Sequence, residues 1–288
     1  MRKFAVIDIG SNSVRLMFVA DGKVLYKRLK TTRIGEGLAD SGVLKDEAIA
    51  RSVAAVAEFY EAAKTEGAES TLAFATAAVR SAKNGAKFVA RVKETCGLTI
   101  EVISGETEAE IGILGALGNT DGGVIDVGGA STEIVIKKQN EIVYKKSVNI
   151  GVVRLKDTCG RDKNALIAAA NAAAEAYGSV PHDKTLCAIG GTATTLAALE
   201  LGLLEYDPNR ITGCEITAQR MQERAEILLN MTVEEIAALP CMPKGRADVL
   251  TGGAVLLATL MQRLGVERLV VSDRDNLEGY AIKAGLFE

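Results

Sequence analysis

Val6-Ile7-Asp8-Ile9-Gly10-Ser11-Asn12-Ser13 and Val124-Ile125-Asp126-Val127-Gly128-Gly129-Ala130-Ser131 are one pattern written twice, 118 residues apart. Each joins a short apolar run to an Asp-x-Gly turn and continues into a second run, Val14 to Val19 in the first copy and Glu133 to Lys137 in the second. Apolar runs this short, bounded by Gly, Asn and Ser, read as buried strands. A turn follows in both copies, Asp21-Gly22 leading into a third strand at Lys23 to Leu29, and Gln139-Asn140. Repetition near the midpoint of a 288-residue chain predicts an α/β protein of two duplicated domains, residues 1–118 and 119–288, facing each other with their turns opposed across a cleft.

Working outward, Lys45 to Thr65 places Ala48, Ile49, Val53, Val56 and Phe59-Tyr60 at helical spacing. Leu72 to Ala75 reads as a strand, Gly85 to Cys96 as a helix stopped by Gly97, and Leu98 to Ile103 as another strand. Glu106 to Gly115 follows as a helix with acidic residues at its N-terminal end, where the helix dipole favours them. In the second half, Leu186 to Ile189 is a strand, Gly190-Gly191-Thr192 a turn and Ala193 to Leu201 a helix. Helices are expected over Thr217 to Leu229, Val233 to Leu239 and Gly245 to Leu264, the last interrupted at Gly252-Gly253. A final strand, Glu267 to Val271, precedes a closing helix, Glu278 to Leu286. Apolar helical faces in this half suit a homodimer interface and core packing equally well.

Composition narrows the function. Hydrophobic residues at 48% and charged residues at 25% exclude wholesale disorder, and a net charge of −3 argues against a nucleic-acid partner. No apolar run reaches the ~18–20 residues of a membrane span. Met1-Arg2-Lys3-Phe4 leads straight into a strand with no signal-peptide core, so a cytoplasmic protein without membrane contact is expected. The five cysteines are widely spaced and form neither a zinc knuckle nor a redox pair. The single histidine, His182, cannot build a poly-His metal site, and no motif supports it as a base. Any chemistry therefore falls to carboxylates, backbone amides and a hard metal.

The repeated turns suit phosphate. Glycine lets the backbone approach a ligand and aim several N–H groups at it. Hydroxyls at Ser11, Ser13, Ser131 and Thr132 add donors, and Gly190-Gly191-Thr192, between a strand and a helix, offers a third anion site. Asp8 and Asp126 stand at strand ends, where α/β sheets place functional groups. Such aspartates can simply cap turns. Facing phosphate, they would repel it unless a cation lay between, and two copies favour that second reading. Oxygen-only donors point to Mg²⁺ or a similar hard ion.

Several further stretches carry a resemblance: Thr76-Ala77-Ala78-Val79-Arg80, Ser104-Gly105-Glu106-Thr107-Glu108-Ala109, Ile125 to Glu133, Gly151-Val152-Val153-Arg154 and Gly190-Gly191-Thr192. Together with the first turn, in this order and spacing, they resemble the exopolyphosphatase / guanosine pentaphosphate phosphohydrolase family from residue 4 to about residue 280. The resemblance implies two ribonuclease-H-like domains of the actin, sugar-kinase and Hsp70 superfamily. It also implies Mg²⁺-dependent removal of the terminal phosphate of polyphosphate or of guanosine pentaphosphate. With the chain ending at Glu288, a short two-domain member is expected.

By the same resemblance Glu108 is the catalytic base that activates water. Asp126 and Glu133 hold the metal, with Asp8 a further candidate. Arg80 contacts phosphate beside Ser11, Asn12, Ser13, Gly128, Gly129, Ala130, Ser131, Thr132 and Gly190-Gly191-Thr192. Arg15, Arg33, Arg154 and Arg246 are candidates for a basic cleft. Glu108 suits its role on chemical grounds as well, since a carboxylate is the natural base where no histidine serves. The inferred reaction is in-line attack of water on the terminal phosphorus. Net negative charge and the lack of a large basic tract favour short polyphosphate chains over long ones.

Three departures bear on activity. Ala130 replaces the third glycine of the second turn, and Glu110 stands where relatives often carry Arg. Ser272-Asp273-Arg274-Asp275-Asn276-Leu277-Glu278-Gly279 replaces a Ser-x-x-Gly-Leu-Arg-Glu-Gly pattern, with Leu277 in the arginine's place. These changes leave room for a weakly active sensor of polyphosphate or nucleotide. A kinase of the same superfold is a further alternative.

Overall fold

A computed structural model describes residues 2–286; the outer ends of the expected domains, Met1, Phe287 and Glu288, lie outside the described residues. The first half runs β1 (Lys3–Ile9), β2 (Ser13–Ala20), β3 (Lys23–Thr31), α1 (Leu38–Ser41), α2 (Asp46–Thr65), β4 (Ser70–Ala75), α3 (Ala77–Ser81), α4 (Gly85–Cys96), β5 (Glu101–Val102) and α5 (Gly105–Leu117). The second runs β6 (Gly122–Val127), β7 (Thr132–Lys138), β8 (Glu141–Val148), α6 (Val152–Cys159), α7 (Lys163–Tyr177), β9 (Thr185–Ile189), α8 (Gly190–Glu200), α9 (Pro208–Ile211), β10 (Glu215–Thr217), α10 (Ala218–Asn230), α11 (Val233–Ala237), α12 (Ala247–Leu264), β11 (Arg268–Val271) and α13 (Asn276–Lys283).

The strands form two mixed sheets, ordered β3-β2-β1-β4-β5 and β8-β7-β6-β9-β11-β10. Apart from the added edge strand β10, one order repeats the other. The repeat reaches single residues. Asp8 pairs with Arg15 and Arg15 with Leu29; 118 positions on, Asp126 pairs with Glu133 and Glu133 with Ser147. Even the irregularity in the second hairpin recurs, between Phe18 and Val19 and between Ile136 and Lys137.

Both two-residue hairpin turns hold positive φ at both positions, Asp21 and Gly22 in one, Gln139 and Asn140 in the other. Such turns match the right-handed twist of the strands they join. Without glycine, the second turn is held by the Asp121 carboxylate, whose Oδ1 accepts from the Asn140 amide at 2.9 Å.

Each sheet has its own core. Phe59, Phe88, Val53 and Ile49 pack on one face of the first sheet. Leu196, Leu250, Leu257 and Tyr177 belong to the larger core of the second. The apolar faces of α7, α10 and α12 pack within that core. None of the described helices is long and apolar enough to cross a membrane.

Four sequence expectations change. The strand expected over Leu98 to Ile103 pairs only at Glu101–Val102, on the sheet's outer edge, although Leu98, Ile100 and Ile103 are buried. The Gly190-Gly191-Thr192 turn is the first turn of α8, which follows β9 without a loop. Helix α12 runs unbroken through Gly252 and Gly253, and the missing side chain of Gly253 makes room for Thr192 and Val152. The closing helix α13 packs on the first sheet, where Leu277 and Ala281 join Phe4, Val6, Phe74 and Ile111. It lies against α5 so closely that a β-carbon on Gly115 or Gly279 would strike the backbone of the opposite helix.

Candidate active site

The two repeated turns meet between the sheets. Each closes on itself in the same way, Gly10 N to Ser13 O and Gly128 N to Ser131 O, both at 3.0 Å. A β-carbon on Gly129 would lie 2.7 Å from Ser11 Cβ, so the turns touch. They enclose a cavity of about 90 Å³ lined by Asp8, Ser11, Asn12, Ser13, Arg15, Glu108, Asp126, Gly128, Gly129, Ala130, Ser131, Gly190, Gly191, Thr192 and Arg246. Thr76 and Asn276, which sequence reasoning gave no role, also line it.

Other sequence candidates stand behind or outside it. The Thr132 hydroxyl donates to Ile150 O at 2.7 Å and is fully buried. Glu133 accepts from Ser147 Oγ at 2.6 Å, while its other oxygen is buried without a partner. Arg33 pairs with Asp248 at 2.8 Å, and Arg154 Nε donates to Ala130 O at 3.2 Å, so both brace backbone or surface instead of facing the cavity. His182 bonds to Leu264 O and the Lys184 amide, away from the site.

Glu108 sits in the first turn of α5, whose N-cap Ser104 accepts from Thr107 N at 3.0 Å. The cap aims the carboxylate into the cleft, and Arg80 Nη1 donates to it at 3.0 Å. Burial pushes Glu108 up to about 7, with the Arg80 charge pulling the other way and the Asp8 charge adding to the rise. Burial, then the charges of Asp275 and Glu108, push Asp126 to about 7 as well, against the pull of Arg15 and of a hydrogen bond from Asn276. Glu133 is raised well above its ordinary value by burial and then by Glu108 and Asp126. Three buried carboxylates thus crowd one another beside the glycine turns.

The fourth carboxylate, Asp8, differs. Arg15 holds its Oδ2 through Nε at 3.0 Å and through a second, shorter contact, and also pairs with Asp275. The guanidinium is therefore occupied by carboxylates. Arg246 is the converse. It is 8% exposed, lies against Gly191, and its side chain makes no hydrogen bond or ion pair among the described residues; Nε is buried without a partner. Burial, then repulsion from Arg15, lowers it to about 10. A buried guanidinium with no counter-charge calls for an anion.

The donor set suits a hard divalent cation. Asp8 Oδ1 and Glu133 Oε2 are buried orphans, and the charge of Asp126 raises Glu133. No group of three His, Cys, Asp or Glu closes a cage among the described residues.

A second cavity, of about 1010 Å³, adjoins the first through Arg15, Gly190, Gly191 and Arg246. Leu25, Leu29, Tyr206, Pro243 and Leu277 give it apolar walls, and Lys27, Asp273, Asp275 and Glu278 add charge.

Two glycine turns at matching ends of two like sheets, opposed over buried carboxylates, define a phosphate-handling hydrolase. The chain belongs to the Ppx/GppA phosphatase family, whose pattern matches residues 17–284. It is 32% identical to "Exopolyphosphatase 2" of Mycobacterium tuberculosis, over 98% of each chain. It is 28% identical to a "Guanosine-5'-triphosphate,3'-diphosphate pyrophosphatase" of Vibrio cholerae, covering 98% of this chain and 58% of that protein. Among solved structures, the Ppx/GppA family member from Aquifex aeolicus superposes with a TM-score of 0.80 at 29% identity, over 99% of this chain and 98% of that one.

Proposed function

We propose that this chain is a cytoplasmic exopolyphosphatase that hydrolyses the terminal phosphoanhydride bond of short polyphosphate chains. The observation that carries this is Glu108, a buried carboxylate facing opposed phosphate turns with no histidine nearby to take its place. A relative matched over 98% of each chain bears the name exopolyphosphatase, which supports the same reading.

In the reaction, the amides and hydroxyls of the turns at Ser11–Ser13 and Gly128–Ser131 hold the terminal phosphate. Arg246 and the amides of Gly190 and Gly191, at the start of α8, hold the next one. Glu108 accepts a proton from water as its oxygen bonds to the terminal phosphorus; the anhydride bond to the next phosphate breaks, and the shortened chain leaves as an anion. Arg80 keeps the Glu108 carboxylate aimed. Asp126 and Glu133 are the residues that would hold Mg²⁺, which when bound offsets phosphate charge. Asp8, neutralised by Arg15, braces the first turn.

A second reading, hydrolysis of guanosine pentaphosphate, is favoured by the large cavity with apolar walls next to the phosphate turns. Phosphate release from tripolyphosphate and from guanosine pentaphosphate, with and without Mg²⁺, tests both. Mg²⁺-dependent release from tripolyphosphate at the higher kcat/KM is expected. Preference for the nucleotide would shift the assignment to it, and binding of either without turnover would make the protein a sensor.

A further inference from the structure

Asp275 and Asn276 are consecutive residues at the start of α13, and each holds one of the two repeated aspartate systems. Asp275 is the N-cap: its Oδ1 accepts from the Leu277 amide at 3.0 Å, and its Oδ2 pairs with Arg15, which in turn holds Asp8. Asn276 donates from Nδ2 to Asp126 Oδ2 at 3.0 Å. Both residues are 4% exposed.

The turn that carries them is fixed from several sides. Glu278 Oε2 accepts from the Asp275 amide at 3.0 Å, closing a capping box, and Lys27 pairs with Glu278 Oε1 at 2.8 Å. Ser272 Oγ accepts from the Arg274 amide at 3.1 Å, and α13 is seated backbone to backbone on α5. Two adjacent side chains thus leave a rigid turn in different directions, one toward each copy of the repeat.

Their chemistry differs in a way that matters. The Asp275 carboxylate fixes a cation, Arg15, against Asp8. Asn276 brings Asp126 a neutral donor, which engages one oxygen without cancelling the charge. The other oxygen, Asp126 Oδ1, lies against Gly190 where a side chain there would stand. A hydrogen bond to one oxygen restrains the carboxylate's rotation and favours one direction for its second oxygen.

We infer that Asn276 is a positioning residue for Asp126: it locks the carboxylate so that Oδ1 and the full negative charge meet a divalent cation at the second turn, while Asp275 keeps Arg15 from neutralising that carboxylate by holding it on Asp8. This rests on the proposed role of Asp126 as a cation ligand, and it concerns a stretch, Asp275-Asn276-Leu277, that departs from the family pattern. An amide suits the task better than an apolar side chain, which donates nothing, or a cation, which would compete with the metal.

The test measures Mn²⁺ binding to the substrate-free protein by calorimetry, beside the Mg²⁺ dependence of phosphate release. In Asn276→Leu, similar in size and without a donor, Mn²⁺ affinity is expected to fall about 10–100-fold, the range for loss of an outer-shell partner. The Mg²⁺ concentration for half-maximal release should rise in parallel while kcat at saturating Mg²⁺ recovers, a split that a purely structural loss would not give. Asn276→Ser, too short to reach Asp126, should do the same and serves if the Leu variant does not fold. Folded variants that bind Mn²⁺ as wild type does overturn the inference, as does wild type that binds none. Weakened Mn²⁺ binding in a protein that releases no phosphate from tripolyphosphate leaves the inference standing and overturns the proposed function instead.

Discussion

Replacing Glu108 by Gln removes the carboxylate proposed as the base while keeping its shape and its acceptor for Arg80. Loss of general-base catalysis lowers rates by about 10²–10⁴, which corresponds to about 2.7–5.4 kcal/mol of activation free energy. Fold stability should hardly fall, because the change also removes a charge that burial disfavours. The assay is phosphate release from tripolyphosphate at saturating Mg²⁺. Its pH profile carries a second signature. A base at about 7 is half ionised there and only about a tenth ionised at pH 6, so kcat/KM should fall as pH falls through 7. Arg80 lowers the Glu108 value, so Arg80→Gln should move that acid limb to higher pH at fixed Mg²⁺. A Glu108→Gln enzyme within tenfold of wild type, or an acid limb unmoved in Arg80→Gln, would refute the base assignment.

Three further outcomes follow from the same geometry. Glu133→Gln relieves mutual repulsion among buried carboxylates, so the metal-free protein should melt higher, on the order of 2–4 °C for each kcal/mol relieved, while Mg²⁺-dependent release is lost. Arg246→Met removes an unpaired buried cation. Without ligand its melting point should match or exceed wild type, but it should lose most of the stabilisation by orthophosphate, about 2.7 kcal/mol at 100 times Kd in wild type. Gly151→Ala would put a β-carbon 2.5 Å from the Gly129 carbonyl carbon and 2.6 Å from the Ala130 nitrogen. It should cost about 1–3 kcal/mol by overpacking and lower kcat/KM by displacing the second turn; unchanged melting and activity would show that the turn gives way easily.

The fold was legible because its decisive feature is local and repeated. Asp8 to Ser13 and Asp126 to Ser131 announce strand, turn and strand in a few residues each, and their spacing carries the pairing of three strands in each sheet. What escaped lies where long-range packing decides. Nothing in Leu277 or Ala281 states that α13 crosses back to the first sheet; that follows from the fit of Gly115 against Gly279. Edge position shortened β5, although its apolar residues are buried as their sequence suggests. The glycines, the hydroxyls of Ser11, Ser13 and Ser131, and Glu108 fall at the cavity as their contiguous motifs suggest, whereas the Thr132 hydroxyl turns behind it to Ile150 O. Arg15 and Arg246 were readable only as cations, since whether a guanidinium is occupied or free depends on partners as distant as Asp275. Ser147 could have been found: it stands 118 residues beyond Leu29, one strand further along the same repeat. Asn276 had no such signal beyond its place in an unusual stretch.

The register of the two hairpins places Arg15 and Glu133 at equivalent positions, each across from the aspartate of its own copy. One position therefore sets a cation beside the first aspartate and a second carboxyl group beside the other. A twofold-symmetric cleft would offer a bound phosphoryl group the same surroundings front and back. In-line displacement needs the opposite, one side suited to an entering nucleophile and the other to a departing anion. The duplicated frame differs front to back at this position, a cation in one copy and a carboxyl group in the other.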